Sequence, residues 1–183
     1  MAAPPLYTIG HSTLAVQDFI ALLQREGVTR VIDVRAIPRS LRQPQFHEDR
    51  LPGALAAQGI AYTHMPALGG RRPLQRGVPP TTNGYWDNRS FHNYADYALQ
   101  PAFRAALAAL RMAAAREPCA IMCAEAVWWR CHRRIITDHV LAAGGAVRHI
   151  LGARTESATL TPAAQVHPDG TVTYPPPTTV SAP

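Results

Sequence analysis

Residues Leu6 to Val34, LYTIGHSTLAVQDFIALLQREGVTRVIDV, decide the fold. Leu6-Tyr7-Thr8-Ile9 is a short β-prone run that stops at Gly10. From Ala15 to Glu26 the apolar residues Val16, Phe19, Ile20, Leu22 and Leu23 share one helical face, and Gly27 caps it. Val31-Ile32-Asp33-Val34 follows at once as a second strand. Strand, helix and strand in so short a span predict a βαβ unit with parallel strands and a right-handed crossover.

Outward from this unit the pattern repeats. Phe46, Leu51 and Leu55 predict a helix that ends near Gly59, and Ile60 to His64 reads as the third strand. The stretch from Pro66 to Arg89 has four prolines, paired glycines and no periodicity, so the segment from Leu68 to Arg89 is expected to form a long loop that covers a site and moves. Phe91–Leu99 and Phe103–Arg116 read as helices, Cys119–Cys123 as the fourth strand, Trp129–Ala143 as an amphipathic helix and Ala146–Leu151 as the fifth strand. The fold expected is α/β, one open, mainly parallel five-stranded sheet with helices on both faces in a Rossmann-like three-layer arrangement. Residues 6–152 form that domain, and residues 153–183 a peripheral, irregular tail. Within the tail, Asp169-Gly170 between Val166 and Val172 suggests a small hairpin, and Pro175 to Pro183 a disordered end.

Composition narrows the class. Hydrophobic residues make up 47% of the 183 and charged residues 16%, against about 25% in an average domain, so the chain has the apolar content to build a core. No apolar run reaches the roughly 18 residues that cross a bilayer, and Met1-Ala2-Ala3-Pro4-Pro5 lacks the basic and apolar segments of a signal peptide. A cytoplasmic protein with no membrane partner is expected. Cys119, Cys123 and Cys131 are an odd number for a disulfide framework, leaving chemistry, metal or burial. All 18 basic residues are arginine and the formal net charge is +6, which favours an anionic small molecule or nucleic acid as partner.

In such a sheet, ligands bind beyond the carboxyl ends of the strands. Those ends carry Gly10-His11-Ser12, Asp33-Val34-Arg35, His64 and Cys123-Ala124-Glu125, with Arg130-Cys131-His132-Arg133 entering the next helix. Each has an ordinary structural use, in capping, ion pairing or packing. Their concentration on one edge favours a shared site, because desolvating that many polar groups costs folding energy unless they are paired or used.

These blocks, Thr8 to Ser12, Asp33-Val34-Arg35 with Pro38 and Ser40, Phe46, Leu68-Gly69-Gly70, Phe91 with Tyr94, Met122 to Glu125 and Cys131-His132-Arg133, resemble the family known as domain of unknown function 488. The resemblance runs from about Leu6 to Gly152 and departs from the family's pattern at Trp128, where a proline commonly precedes the tryptophan. It implies a fold and a site but no reaction.

The chemistry has to come from the residues. Cys123 and Arg130 are separated by six residues that include Val127, Trp128 and Trp129, one more than a cysteine-phosphatase or sulfurtransferase loop and too bulky for converging amides. Cys131-His132-Arg133 resembles the Cys-His-Arg of DNA alkyltransferases, but Arg130 stands where their proline is expected. A metal could use Cys123, Cys131 and His132, yet neighbours on one helix point about 100° apart, so no metal or other cofactor is expected. The expectation is therefore an enzyme, a hydrolase or transferase, acting on a nucleotide or nucleic acid. Glu125, Asp33 and His11 serve as acid–base groups and Cys123 as nucleophile or packed thiol. Ser12, Arg35, Arg130, Arg133 and Trp129 bind the substrate, with Trp128, Tyr85 and Trp86 as further stacking candidates. The competing classes are a non-catalytic nucleic-acid-binding or ligand-sensing module and a cysteine-dependent transferase.

Overall fold

The computed structural model describes residues 4–177. Its elements run β1 Leu6–Gly10, α1 Val16–Arg25, β2 Arg30–Asp33, α2 Leu51–Ala56, β3 Ala61–His64, α3 Arg89–Tyr97, α4 Pro101–Arg116, β4 Cys119–Cys123, α5 Arg133–Ala142, β5 Val147–Leu151, β6 Arg154–Ser157, β7 Gln165–Val166 and β8 Val172–Thr173. The main sheet has the order β3-β2-β4-β1-β5-β6, parallel except for β6, and β7 with β8 makes a separate antiparallel pair.

Alternation along each strand sends side chains to two cores. On one face Tyr7, Ile9, Val31, Ala120 and Met122 pack with Phe19, Ile20 and Leu23 of α1 and Leu51 and Leu55 of α2. On the other, Leu6, Ile32, Cys119 and Ile121 pack with Tyr94 of α3, Phe103, Leu107 and Leu110 of α4, and Ile135, Ile136 and Val140 of α5. This is the expected three-layer α/β architecture, broadly Rossmann-like.

Two differences concern the chain after Gly152. The sheet has six strands, not five: β6 turns back beside β5, pairing Leu151 with Arg154 and Arg148 with Ser157. An edge strand reading Arg-Thr-Glu-Ser has no alternating apolar face to announce it. The tail is also not merely peripheral. Tyr174 is fully buried; its hydroxyl donates to Asp138 (2.8 Å) and its amide donates to Asn83 (3.0 Å). The hairpin around Asp169-Gly170 forms as expected, and the part of the expected disordered end at 178–183 lies outside the described residues.

The long loop is pinned at both ends. Leu68 and Ala67 carbonyls accept from the Tyr94 and Tyr97 hydroxyls, and the Asn93 amide donates to the Arg72 carbonyl. At the other end Asn83 is buried and donates to Asp96, while Trp86 stacks on Phe91. Of the expected cover from Leu68 to Arg89, the largely exposed stretch between Pro73 and Thr82 lines no part of the crevice, which Gly70 and Arg71 reach instead.

Topology locates the crevice. From β2 the chain leaves toward β3, whereas from β4 it leaves in the opposite direction, past β1 to β5. Adjacent strands whose exits diverge leave a gap at their carboxyl ends. Register aligns the floor of that gap, pairing Gly10 with Cys123 and Asp33 with Met122.

Candidate active site

A crevice of about 440 Å³ opens at this point, lined among others by His11, Arg35, Arg39, Arg71, Tyr94, Cys123, Glu125, Arg130, Cys131 and His132. The β4 exit passes close over β1: the His11 and Ser12 amides donate to the Cys123 and Ala124 carbonyls (2.9 and 3.0 Å). A Cβ on Gly10 would run into the Glu125 carbonyl, so the approach requires glycine. A Cβ on Gly70 would come within 3.0 Å of His132 Nδ1, so glycine there leaves the imidazole room.

One wall is built on β2. Asp33 is fully buried and Arg35 nearly so. Arg35 donates from Nε to Oδ1 (2.9 Å) and from Nη2 to Oδ2 (2.6 Å) of Asp33, and the Tyr62 hydroxyl donates to the same Oδ2 (2.7 Å). The carboxylate is saturated and acts as a clamp on the guanidinium, leaving Nη1 facing His11 Nε2 at 3.4 Å. His11 lies flat on Phe46, with 4.2 Å between ring centroids. Its Nδ1 faces the Ser12 carbonyl at 3.0 Å, which can only accept, so Nδ1 carries the proton and Nε2 the lone pair toward Arg35. Burial pushes its pKa down to about 4, with Arg35 adding to the effect, so the ring is neutral near pH 7. Asp33 and His11, expected to exchange protons with substrate, hold and aim Arg35.

The opposite wall follows β4. A 3-10 turn, Trp128–Arg130, places Cys131 and His132 ahead of α5 rather than within it, so the 100° divergence of helical neighbours does not apply. Cys123 Sγ, Cys131 Sγ and a His132 ring nitrogen all lie within 4.8 Å of one another, a convergence the helical argument excluded. His132 Nε2 donates to the Val34 carbonyl (2.8 Å), which turns Nδ1 to Cys131 Sγ at 3.6 Å. Arg133 is 1% exposed, and among the described residues no carboxylate pairs with it. Its Nε donates to Cys131 Sγ (3.3 Å) and its Nη2 to the Glu125 carbonyl.

A buried guanidinium cannot shed its proton, so it needs an anion, and the sulfur is the acidic group in contact. The thiol of Cys131 is pushed well below the ordinary cysteine value, first by its contact with Cys123, then by His132 and Arg133. The same contact, with burial, pushes the Cys123 thiol up. Of the two sulfurs it is Cys131 that Arg133 contacts, so its anion is the one this wall favours. Cys119, buried beneath α4, has its thiol pushed up to about 11 by burial and belongs to the core.

The sequence-predicted residues divide accordingly. His11, Arg35, Cys123, Glu125 and Arg130 line the crevice, while Asp33 and Arg133 support it from beneath. Glu125 is exposed on the rim. Ser12 and Trp129 do not line the crevice; Trp129 is 43% exposed beside Trp128, which stacks on His149 at 4.3 Å. Tyr85 and Trp86 pack against the core. The residue the sequence argument undervalued is Cys131, whose one signal is the arginine two positions later. Ser40 and Tyr94, named only through the family resemblance, also line the crevice, as do Arg39 and Arg71 from loops that no motif joins to it.

A family model described as Domain of unknown function DUF488 matches residues 15–140. No curated protein sequence and no solved structure matches the chain.

Proposed function

The chain belongs to the DUF488 family, and from the crevice that its strand ends form we propose a thiol-dependent enzyme, a transferase or hydrolase, acting on an anionic substrate of nucleotide size. The observation that carries this is the buried Arg133, whose partner in the crevice wall is the sulfur of Cys131. A thiolate is the nucleophilic form of cysteine. Arg35, Arg39, Arg71 and Arg130 line the same space in which Glu125 is the carboxylate, so an anion is favoured there. The volume suits one nucleotide-sized ligand rather than a duplex.

In the transfer step the Cys131 sulfur gives an electron pair to the electrophilic centre of the substrate. The bond to the leaving group breaks, and the leaving group takes a proton from solvent at the rim. A second acceptor, water or another nucleophile, then displaces the sulfur and loses its proton to Glu125, which stands at the mouth. Three cysteines, an odd number that makes no disulfide framework, suit a cytoplasmic site of action.

Limiting iodoacetamide on reduced, metal-free protein near pH 7 tests the reading, with peptide mass spectrometry to find the modified cysteine. Cys131 should be labelled at least 10-fold faster than Cys119, and inorganic phosphate or a mononucleotide should slow the labelling. Labelling of Cys123 ahead of Cys131 would assign the thiolate wrongly. Fast labelling that no phosphate compound slows would remove the anionic substrate.

A further inference from the structure

We propose that Cys123, Cys131 and His132 form a three-ligand site for a tetrahedral, sulfur-preferring divalent ion, zinc above all, with its fourth position open to the crevice. The inference shares with the proposed reading only the use of the Cys131 sulfur. It adds what that sulfur holds.

Three observations carry it. The first is spacing. With zinc–sulfur and zinc–nitrogen bonds of about 2.3 and 2.0–2.1 Å, a tetrahedral centre separates sulfur from nitrogen by roughly 3.6 Å. Cys131 Sγ and His132 Nδ1 are 3.6 Å apart, and Cys123 Sγ lies within 4.8 Å of Cys131 Sγ and of a His132 ring nitrogen. The second is the orientation of the imidazole. A metal-bound histidine normally gives its other N–H to a carbonyl or carboxylate, which fixes the tautomer and aims the lone pair. His132 Nε2 donates to the Val34 carbonyl at 2.8 Å, so Nδ1 is the ring atom turned to the sulfurs. The third is access. All three residues line the crevice, which distinguishes the cluster from a closed structural site with four protein ligands.

The donor set also selects the ion. Two thiolates and an imidazole suit zinc and reject the oxygen-preferring magnesium and calcium. Arg133 Nε donates to Cys131 Sγ, and cysteines bind the ion as thiolates, so loading would release protons. Two thiolates balance the dication and Arg133 leaves one positive charge, which an anionic substrate or a bound hydroxide would neutralise at the open position. When bound, the ion would supply Lewis-acid chemistry beside the arginines that line the crevice, with Cys123, Cys131 and His132 as the residues that would hold it.

The test is cobalt titration of the full chain, reduced and stripped with a chelator, followed by competition with zinc. One equivalent of cobalt should give a sulfur-to-cobalt charge-transfer band and the intense visible bands of tetrahedral geometry, and zinc should abolish both. Cys131→Ser should remove the charge-transfer intensity of one sulfur and weaken binding, and His132→Ala should weaken it at least 10-fold, while Cys119→Ser leaves it unchanged. Thermal unfolding of each variant checks that it is folded. Should His132→Ala unfold, His132→Gln serves in its place and carries the same expectation. A folded, reduced protein that gives no tetrahedral cobalt spectrum overturns the site, as does a spectrum that survives loss of both Cys123 and Cys131. Failure here with fast Cys131 alkylation leaves the thiol enzyme standing; cobalt binding without phosphate protection overturns the substrate class alone.

Discussion

The two walls of the crevice each bury an arginine, and they solve the same electrostatic problem with different anions. On the β2 wall Arg35 is clamped by the carboxylate of Asp33, itself held by Tyr62. On the β4 wall Arg133 is matched by a sulfur. Both Asp and Cys can take up a proton, but a carboxylate does so far less readily at neutral pH. A carboxylate partner therefore makes a fixed pair, whose remaining donor is presented to the crevice. A sulfur partner makes an adjustable one, whose anion is a nucleophile and a metal ligand. The difference separates titratable groups that hold the site from those suited to react in it.

Asp33→Asn breaks the fixed pair and should have the largest effect. It strands a buried guanidinium that cannot neutralise itself, so denaturant unfolding should report a loss of about 3–5 kcal/mol. A loss below about 1 kcal/mol would mean that Arg35 finds solvent or another anion, and the two walls would not differ.

Acid should act next, through three buried histidines, His11 on the β2 wall and His139 and His149 outside the crevice lining. Burial pushes each down to about 4 from an ordinary 6.5. The unfolded chain binds protons below pH 6.5 that the folded chain refuses until about pH 4, so stability is constant above this window and falls as pH drops through it. The combined loss should be on the order of 3 kcal/mol, allowing for partial solvent access at His149. Urea midpoints at pH 7 and pH 4.5 measure it, and a His139→Gln, His149→Gln double variant should reduce the slope to the part that His11 contributes. A profile unchanged by that variant would assign the acid response to the crevice.

Arg133→Met sharpens the contrast. The sulfur it abandons can take a proton, and a well-packed apolar replacement for a buried ion is often neutral, so stability should change by less than about 1 kcal/mol. Alkylation of Cys131 should nevertheless slow at least 10-fold as the thiolate is lost. A large destabilisation with unchanged labelling would reverse the assignment. The smallest effect belongs to Glu125→Gln. This residue is exposed on the rim, and its replacement should stay within about 0.5 kcal/mol in thermal or urea unfolding. A larger loss would place the carboxylate in the support of one wall.

Much of the frame was legible from local pattern. The run from Leu6 to Val34 carries its strand, helix and strand in apolar spacing, and Cys119–Cys123 forms the strand its continuous apolar character predicted. Strand-end position also assembled His11, Arg35, Cys123, Glu125 and Arg130 around one space, because parallel strands bring their carboxyl ends to one edge. The sixth strand escaped, since an exposed edge needs no apolar alternation, and so did the burial of Tyr174, which depends on partners as distant as Asp138 and Asn83.

Residue roles were a matter for the tertiary structure alone. Sequence established which ionisable side chains lie near the strand ends, since backbone periodicity is set by neighbours in the chain. It could not say which charge meets which, because ion pairing depends on distances between segments far apart in sequence and on how deeply each is buried. Asp33 became a clamp when Tyr62 and Arg35 closed on it, and Glu125 was left in solvent. Cys131 came to face a buried arginine because a 3-10 turn set it before α5, against Cys123 at the end of β4.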